Sequence, residues 1–117
     1  MTENTGRTEL ERAARAAGYT IRFHAGVCKG GAYEGCERLC DDGEWRAWQP
    51  RKDDGDAFRL AVHAKIKHFE GMNGRIYAHS AQPEKRHIPK IENRADKLEA
   101  SRFAIFRAAV EIGRGLG

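Results

Sequence analysis

Four residues near the first third of the chain have the right chemistry for a metal ion. His24, Cys28, Cys36 and Cys40 supply one imidazole and three thiols, the donor set of a tetrahedral zinc site. Their spacing lacks the paired C-x2-C knuckles of a strong zinc motif, so free thiols in a loop are the competing reading. A second candidate is the run Trp48-Gln-Pro50-Arg51-Lys52-Asp53-Asp54-Gly55-Asp56. Read as a site, it sets an aromatic plane at a strand end beside a helix N-terminus, whose free N–H groups attract anions. Read as structure, Trp48 is core, Pro50 ends a strand, and the acids cap a helix. The acids would repel phosphate, which favours the second reading. Basic residues supply a third candidate. Arg46, Arg51 and Lys52, with Lys85, Arg86 and Lys90, suit phosphates, and Trp45 or Trp48 suits a stacked base. A solvated charged surface explains the same residues without a ligand.

Catalytic signatures are missing. The five histidines form no H-E-x-x-H pair, no serine sits in G-x-S-x-G, and no phosphate-cradling glycine loop is present. The expectation is therefore a binding protein without a cofactor rather than an enzyme. A metal-dependent enzyme using Asp53, Asp54 and Asp56, or the Cys/His loop, is the last-ranked alternative.

These residues are positioned by a short chain. Its 117 residues allow one domain, read as 8–117 behind a flexible tail at 1–7. There are 21 Lys and Arg against 17 Asp and Glu, a mild excess that does not by itself name a nucleic-acid partner. No apolar run reaches the ~18–20 residues of a membrane helix. The polar N-terminus lacks a signal core, so a cytosolic protein with no membrane partner is expected.

Helix signals come first. Thr8-Glu-Leu-Glu11 fits a capping box, Leu10, Ala13, Ala14 and Ala17 share a face, and Gly18 suits a helix end. Tyr19 to His24 alternates as a strand should. Residues 25–43 read as a loop, and Glu44–Trp48 as a strand stopped by Pro50. Asp53 or Asp54 caps a second helix through Ala64, with Phe58, Leu60, Ala61 and Val62 buried. Lys65–Phe69 and Arg75–His79 flank an Asn73-Gly74 turn. A short edge strand fits residues 88–91. Arg94–Gly113 forms the last helix, its apolar arc running from Leu98 to Ile112. Glu99 and Arg102 fall inside that arc. A buried guanidinium is costly alone, so Arg102 must pair, snorkel, or face a ligand or a second subunit.

The order α-β-β-α-β-β-α predicts an α+β domain with an antiparallel sheet of about four strands and three helices. Two stretches also carry a resemblance. Trp48-Gln-Pro-Arg-Lys-Asp-Asp-Gly-Asp-Ala-Phe-Arg-Leu-Ala-Val62 and Ala100-Ser-Arg-Phe-Ala-Ile-Phe-Arg-Ala-Ala-Val-Glu-Ile-Gly-Arg114 resemble the phage ABA sandwich domain family. The matching positions are Trp48, Pro50, Asp53–Ala57 and Leu60–Val62, then Ala104, Ile105, Ala108, Ala109 and Glu111–Gly113. The 25–43 and 83–90 stretches depart from the pattern. The resemblance implies a bacteriophage or prophage protein in the host bacterial cytoplasm, with a three-layer α/β/α sandwich. It carries over no catalytic residue. Within that context the leading expectation is host-defence counteraction. The protein would inhibit an immune complex in the manner of an anti-CRISPR, or sequester a nucleotide immune signal. A nucleic-acid-binding regulatory protein is the alternative, and a homo-oligomer is compatible with either.

Overall fold

A computed structural model describes residues 2–23, 35–71, 74–82, 90–92, 94 and 96–115. Among these residues three helices, α1 (Thr2–Ala17), α2 (Asp54–Ala64) and α3 (Lys97–Gly115), accompany six strands. These are β1 (Ile21–Phe23), β2 (Cys36–Leu39), β3 (Trp45–Ala47), β4 (Ile66–Glu70), β5 (Ile76–Ser80) and β6 (Lys90–Glu92). The α+β class agrees with the sequence. The sheet does not: the strands form two antiparallel three-stranded sheets, β1-β2-β3 and β4-β5-β6, in place of one sheet of about four. Both sheets are built from consecutive strands, and α2 separates them in the chain.

Several boundaries move for physical reasons. Helix α1 begins at Thr2, so the 1–7 stretch expected as a tail is largely helical, and Thr8 lies inside the helix. Arg7 sits over the Phe23 ring at 4.8 Å and ties this first part to the sheet. Its end is as read: Gly18 takes φ +76°, Gly18 N–H donates to Arg15 O and Tyr19 N–H to Ala14 O, a Schellman cap. In α2 the buried stripe is Asp56, Ala57, Leu60, Ala61 and Ala64. Phe58 and Val62, expected inside, lie on the other side and are 62% and 54% exposed. Helix α3 continues through Gly113 to Gly115. Asp96 caps its start, its carboxylate accepting from Leu98 and Glu99 N–H.

Helix α3 is the hub. It packs against α1 and α2 and against all three strands of the second sheet. Half of its buried residues are alanine, and the buried set meets Leu10, Ala13 and Ala14 of α1. Small side chains let the helix axes approach closely. Both helix contacts of the second sheet fall on the side of Ile66, Ile76 and Ala78, and its other side faces solvent. Helices on both faces of one sheet, the layering expected from the resemblance, are not found for this sheet among the described residues.

An ion-pair cluster clamps β6 to α3. Glu92 accepts from Arg94 Nε at 2.9 Å and from Arg107 of α3. Burial pushes the Glu92 carboxyl up, but the hydrogen bonds from both guanidiniums outweigh it, and its pKa lies below the usual value. A group depressed on folding stabilises above its unfolded pKa and loses that contribution as pH falls through the folded one. Glu92→Gln should therefore cost about 1 kcal/mol at pH 7, since both arginines are substantially solvated. The difference from wild type should vanish as pH drops below the ordinary carboxylate range. Urea midpoints across pH check this; a gap that widens on acidification contradicts it.

Candidate functional site

A cleft of ≈ 460 Å³ opens between the β2–β3 hairpin and α2. The hairpin makes one wall. Cys40, Asp41, Asp42 and Gly43 form its turn: Gly43 N–H donates to Cys40 O, Cys40 N–H to Glu44 O, and Gly43 adopts φ +86°. This register sets Arg38 directly opposite Arg46. Residues opposite each other in a ladder share a face, so both guanidiniums project toward α2. Like charges so placed destabilise a sheet.

The other wall is α2. Asp53 caps it, its carboxylate accepting from Asp56 N–H at 2.8 Å. Asp56, buried in the first turn, reaches back and accepts from Gln49 N–H at 2.9 Å. Lys52 and Asp53 N–H both donate to Gln49 O, closing a tight turn over buried Pro50. The Asp53-Asp54-Gly55-Asp56 run is thus a capping device. Its last acid also holds Arg59, one turn on, at 2.9 Å, and Arg59 lines the cleft opposite the hairpin arginines.

Tyr19 and His63 line a second cavity of ≈ 340 Å³, which shares Arg38, Cys40 and Asp41 with the cleft. The Schellman turn at Gly18 delivers Tyr19, and the last turn of α2 delivers His63. Their Oη and Nδ1 atoms lie 2.6 Å apart. Burial pushes the Tyr19 phenol up, and Arg38 and Arg59 only partly offset that. The phenol therefore stays protonated at neutral pH and shares a hydrogen bond with Nδ1 of His63. Arg38 lies over the Tyr19 ring at 4.5 Å.

The three cleft arginines are not equivalent. Arg46 is bidentate to Asp42, at 3.2 and 2.7 Å. Arg59 holds Asp56. Arg38 has no carboxylate partner among the described residues; its contact is the Tyr19 ring.

The residues picked from sequence are dispersed. Trp48 is fully buried, edge-on to Tyr19 at 5.6 Å, and offers no ring face to a ligand. Trp45 lies on the opposite face of the first sheet, under Arg22 at 4.2 Å. Arg51 pairs with Glu9 and stacks over Phe106, Lys90 pairs with Glu111, and Lys52 is an exposed turn residue. Arg102 is paired: Nε donates to Arg51 O at 3.0 Å and Nη1 to Asp54 at 2.6 Å. It ties α3 to the start of α2. Glu99 faces Arg94 at 3.7 Å. Lys85 and Arg86 lie outside the described residues.

Among the described residues the geometry gives zinc no support. His24 and Cys28 lie outside the described residues. Cys36 and Cys40 stand four positions apart along extended chain, about 13 Å at ~3.3 Å per residue. That is too far to share one tetrahedral ion. Among the described residues no three His, Cys, Asp or Glu side chains converge on a metal position.

Sequence reasoning missed Tyr19, Arg38, Arg59 and His63. One signal was available: Asp42-Gly43 is a hairpin turn signal, and using it pairs residues 36–39 with 45–47 and places Arg38 opposite Arg46. No family model, curated protein or solved structure matches the chain. Among the described residues no helix is long and apolar enough to cross a membrane.

Proposed function

We propose that this is a small non-enzymatic binding protein of the bacteriophage accessory kind, which captures a phosphorylated small ligand in the Arg38 cleft. One observation carries the proposal. Arg38 and Arg46 face each other across the β2–β3 ladder with Arg59 on the opposite wall, and Arg38 lacks an acidic partner among the described residues. Such a like-charge pair costs stability when empty, and a phosphate between the guanidiniums offsets that cost through bidentate hydrogen bonds. His63, hydrogen-bonded to Tyr19, lies in the neighbouring cavity beside Arg38. Asp41, Asp42 and Asp56 in the same walls limit the net charge, which suits a discrete phosphate better than a long polyanion. The phage context rests on the resemblance of Trp48–Val62 and Ala100–Arg114. In that context a nucleotide defence signal is the ligand class that the cleft fits, held in the host cytoplasm.

Thermal shift with inorganic pyrophosphate and with cyclic and linear dinucleotides tests this. A bound ligand at a hundredfold excess over its Kd stabilises by about 2.7 kcal/mol. Without ligand Arg38→Ala should melt at or slightly above the wild type, since the like-charge pair is gone, and it should lose the ligand-dependent shift. No shift for any probe, or an equal shift in Arg38→Ala, overturns the reading. Turnover of a nucleotide that disappears in Asp54→Ala would move the protein to the enzyme class.

A further inference from the structure

The second sheet presents a surface that the cleft does not use. In β4–β6, alternation sends Ile66, Ile76 and Ala78 inward to α3. The opposite parity sends Lys67 and Phe69 of β4, Tyr77 and His79 of β5, and Ile91 of β6 to solvent, with Arg75 just before β5. Register aligns Phe69, Tyr77 and Ile91 as one row across all three strands. Phe69 is 51% and Ile91 44% exposed.

Three properties of this face point to one occupant. First, the Phe69 and Tyr77 rings are stacked, with centroids 5.3 Å apart and planes 9° from parallel, and His79 meets Phe69 edge-on. β4 is an edge strand among the described residues, so no described strand lies beside the Phe69 ring face that turns away from Tyr77. Second, the charges on this side are one sign. Lys67 faces His79 across the ladder, and neither Lys67 nor Arg75 has an ion pair among the described residues. Third, the acids of these strands have the other parity: Glu70 pairs in register with Ile76, and Glu92 is held by Arg94 and Arg107 against α3. An exposed aromatic row flanked by unpaired cations, with no carboxylate of its own parity in β4–β6, complements a chain of bases and phosphates.

We propose that the solvent side of β4–β6 is a stacking platform for single-stranded nucleic acid, with a base continuing the stack on Phe69 and neighbouring phosphates on Lys67 and Arg75. The reading is independent of the Arg38 cleft. Duplex is disfavoured because its bases present no free faces to the ring.

Fluorescence anisotropy with a labelled oligothymidylate of about 12 nucleotides, within the ~4–16 nucleotide size of single-strand sites, tests it. Wild type and Arg38→Ala should bind alike. Phe69→Ala should weaken binding about tenfold and Phe69→Trp should restore it. The slope of log affinity against log salt should be about −1.4 for two phosphates, and should drop by about 0.7 in Lys67→Ala. Phe69 is half exposed, so its removal leaves the core intact, and circular dichroism verifies that. Should Phe69→Ala nevertheless misfold, Lys67→Ala with Arg75→Ala must show the weakening instead. Absent saturable binding, equal affinity for duplex, or Phe69→Ala binding like wild type overturns the proposal. So does a dimer in light scattering that Phe69→Ala disperses, because a second copy then covers the face.

Discussion

Gly113→Ala should melt roughly 12 °C below the wild type. An added Cβ would stand 1.7 Å from the carbonyl oxygen of Arg12, 2.5 Å from its carbonyl carbon and 2.9 Å from its Cα. All three atoms are backbone, so no rotamer change relieves the clash. Only separation of α1 from α3 does, and that opens the alanine faces of both helices at once. Overpacking of this kind costs about 3 kcal/mol or more, and ~4 °C per kcal/mol is the conversion for a domain of this size. The gain in helix propensity from glycine to alanine, about 1 kcal/mol, is too small to compensate. Gly115→Ala is the control, because nothing lies within 4 Å of its added Cβ. Thermal melts of the three chains decide the matter. A Gly113→Ala chain as stable as wild type would mean that the helix crossing is looser than described.

Asp56→Ala should lose about 3 kcal/mol, measured as a urea midpoint. The side chain is buried and has two partners, Gln49 N–H and Arg59. Removing it strands the Gln49 N–H beside the core and releases Arg59. The first loss is a hydrogen bond to a charged acceptor, worth about 1.5–3 kcal/mol. The second is small, since Arg59 is half exposed. Loss of an acid from the first turn adds a few tenths of a kcal/mol through the helix dipole. Asp53→Ala should cost only about 1 kcal/mol, the ordinary value of an N-cap. Inversion of that order would remove Asp56 from its place as the organiser of the turn.

Local signals were the legible part of this fold. Gly18 ends α1, Asp53 caps α2, and Tyr19, Ile21 and Phe23 share a core-facing side, because each follows from a few neighbouring residues. Strand β2 was hidden: Cys-Glu-Arg-Leu has mixed composition, and ladders on both sides make it a strand. The side of α2 that faces inward was misjudged at Phe58 and Val62, since its buried stripe is mostly alanine and aspartate and therefore weakly hydrophobic. Arg102 was visible as an anomaly within an apolar arc. Its partner Asp54 is 48 positions away and was not visible as such. The cleft was harder still. Tyr19, Arg38, Arg59 and His63 come from three elements, and Tyr19 and His63 are 44 positions apart. No pattern along the chain joins them; the Tyr19–His63 hydrogen bond and the cavity walls shared by the hairpin and α2 do.

The central place of α3 has a consequence for synthesis. Each three-stranded sheet closes through neighbours in sequence and can pair while the chain emerges from the ribosome. The apolar side of the second sheet, and the alanine face of α1, gain their main cover from α3, which is translated after the other described elements. Until then a nascent chain holds formed hairpins over an uncovered interior, the state in which unfinished proteins aggregate. Stalling before residue 97 should therefore leave a polypeptide dependent on chaperones, and release of α3 is the event that converts it to a finished domain.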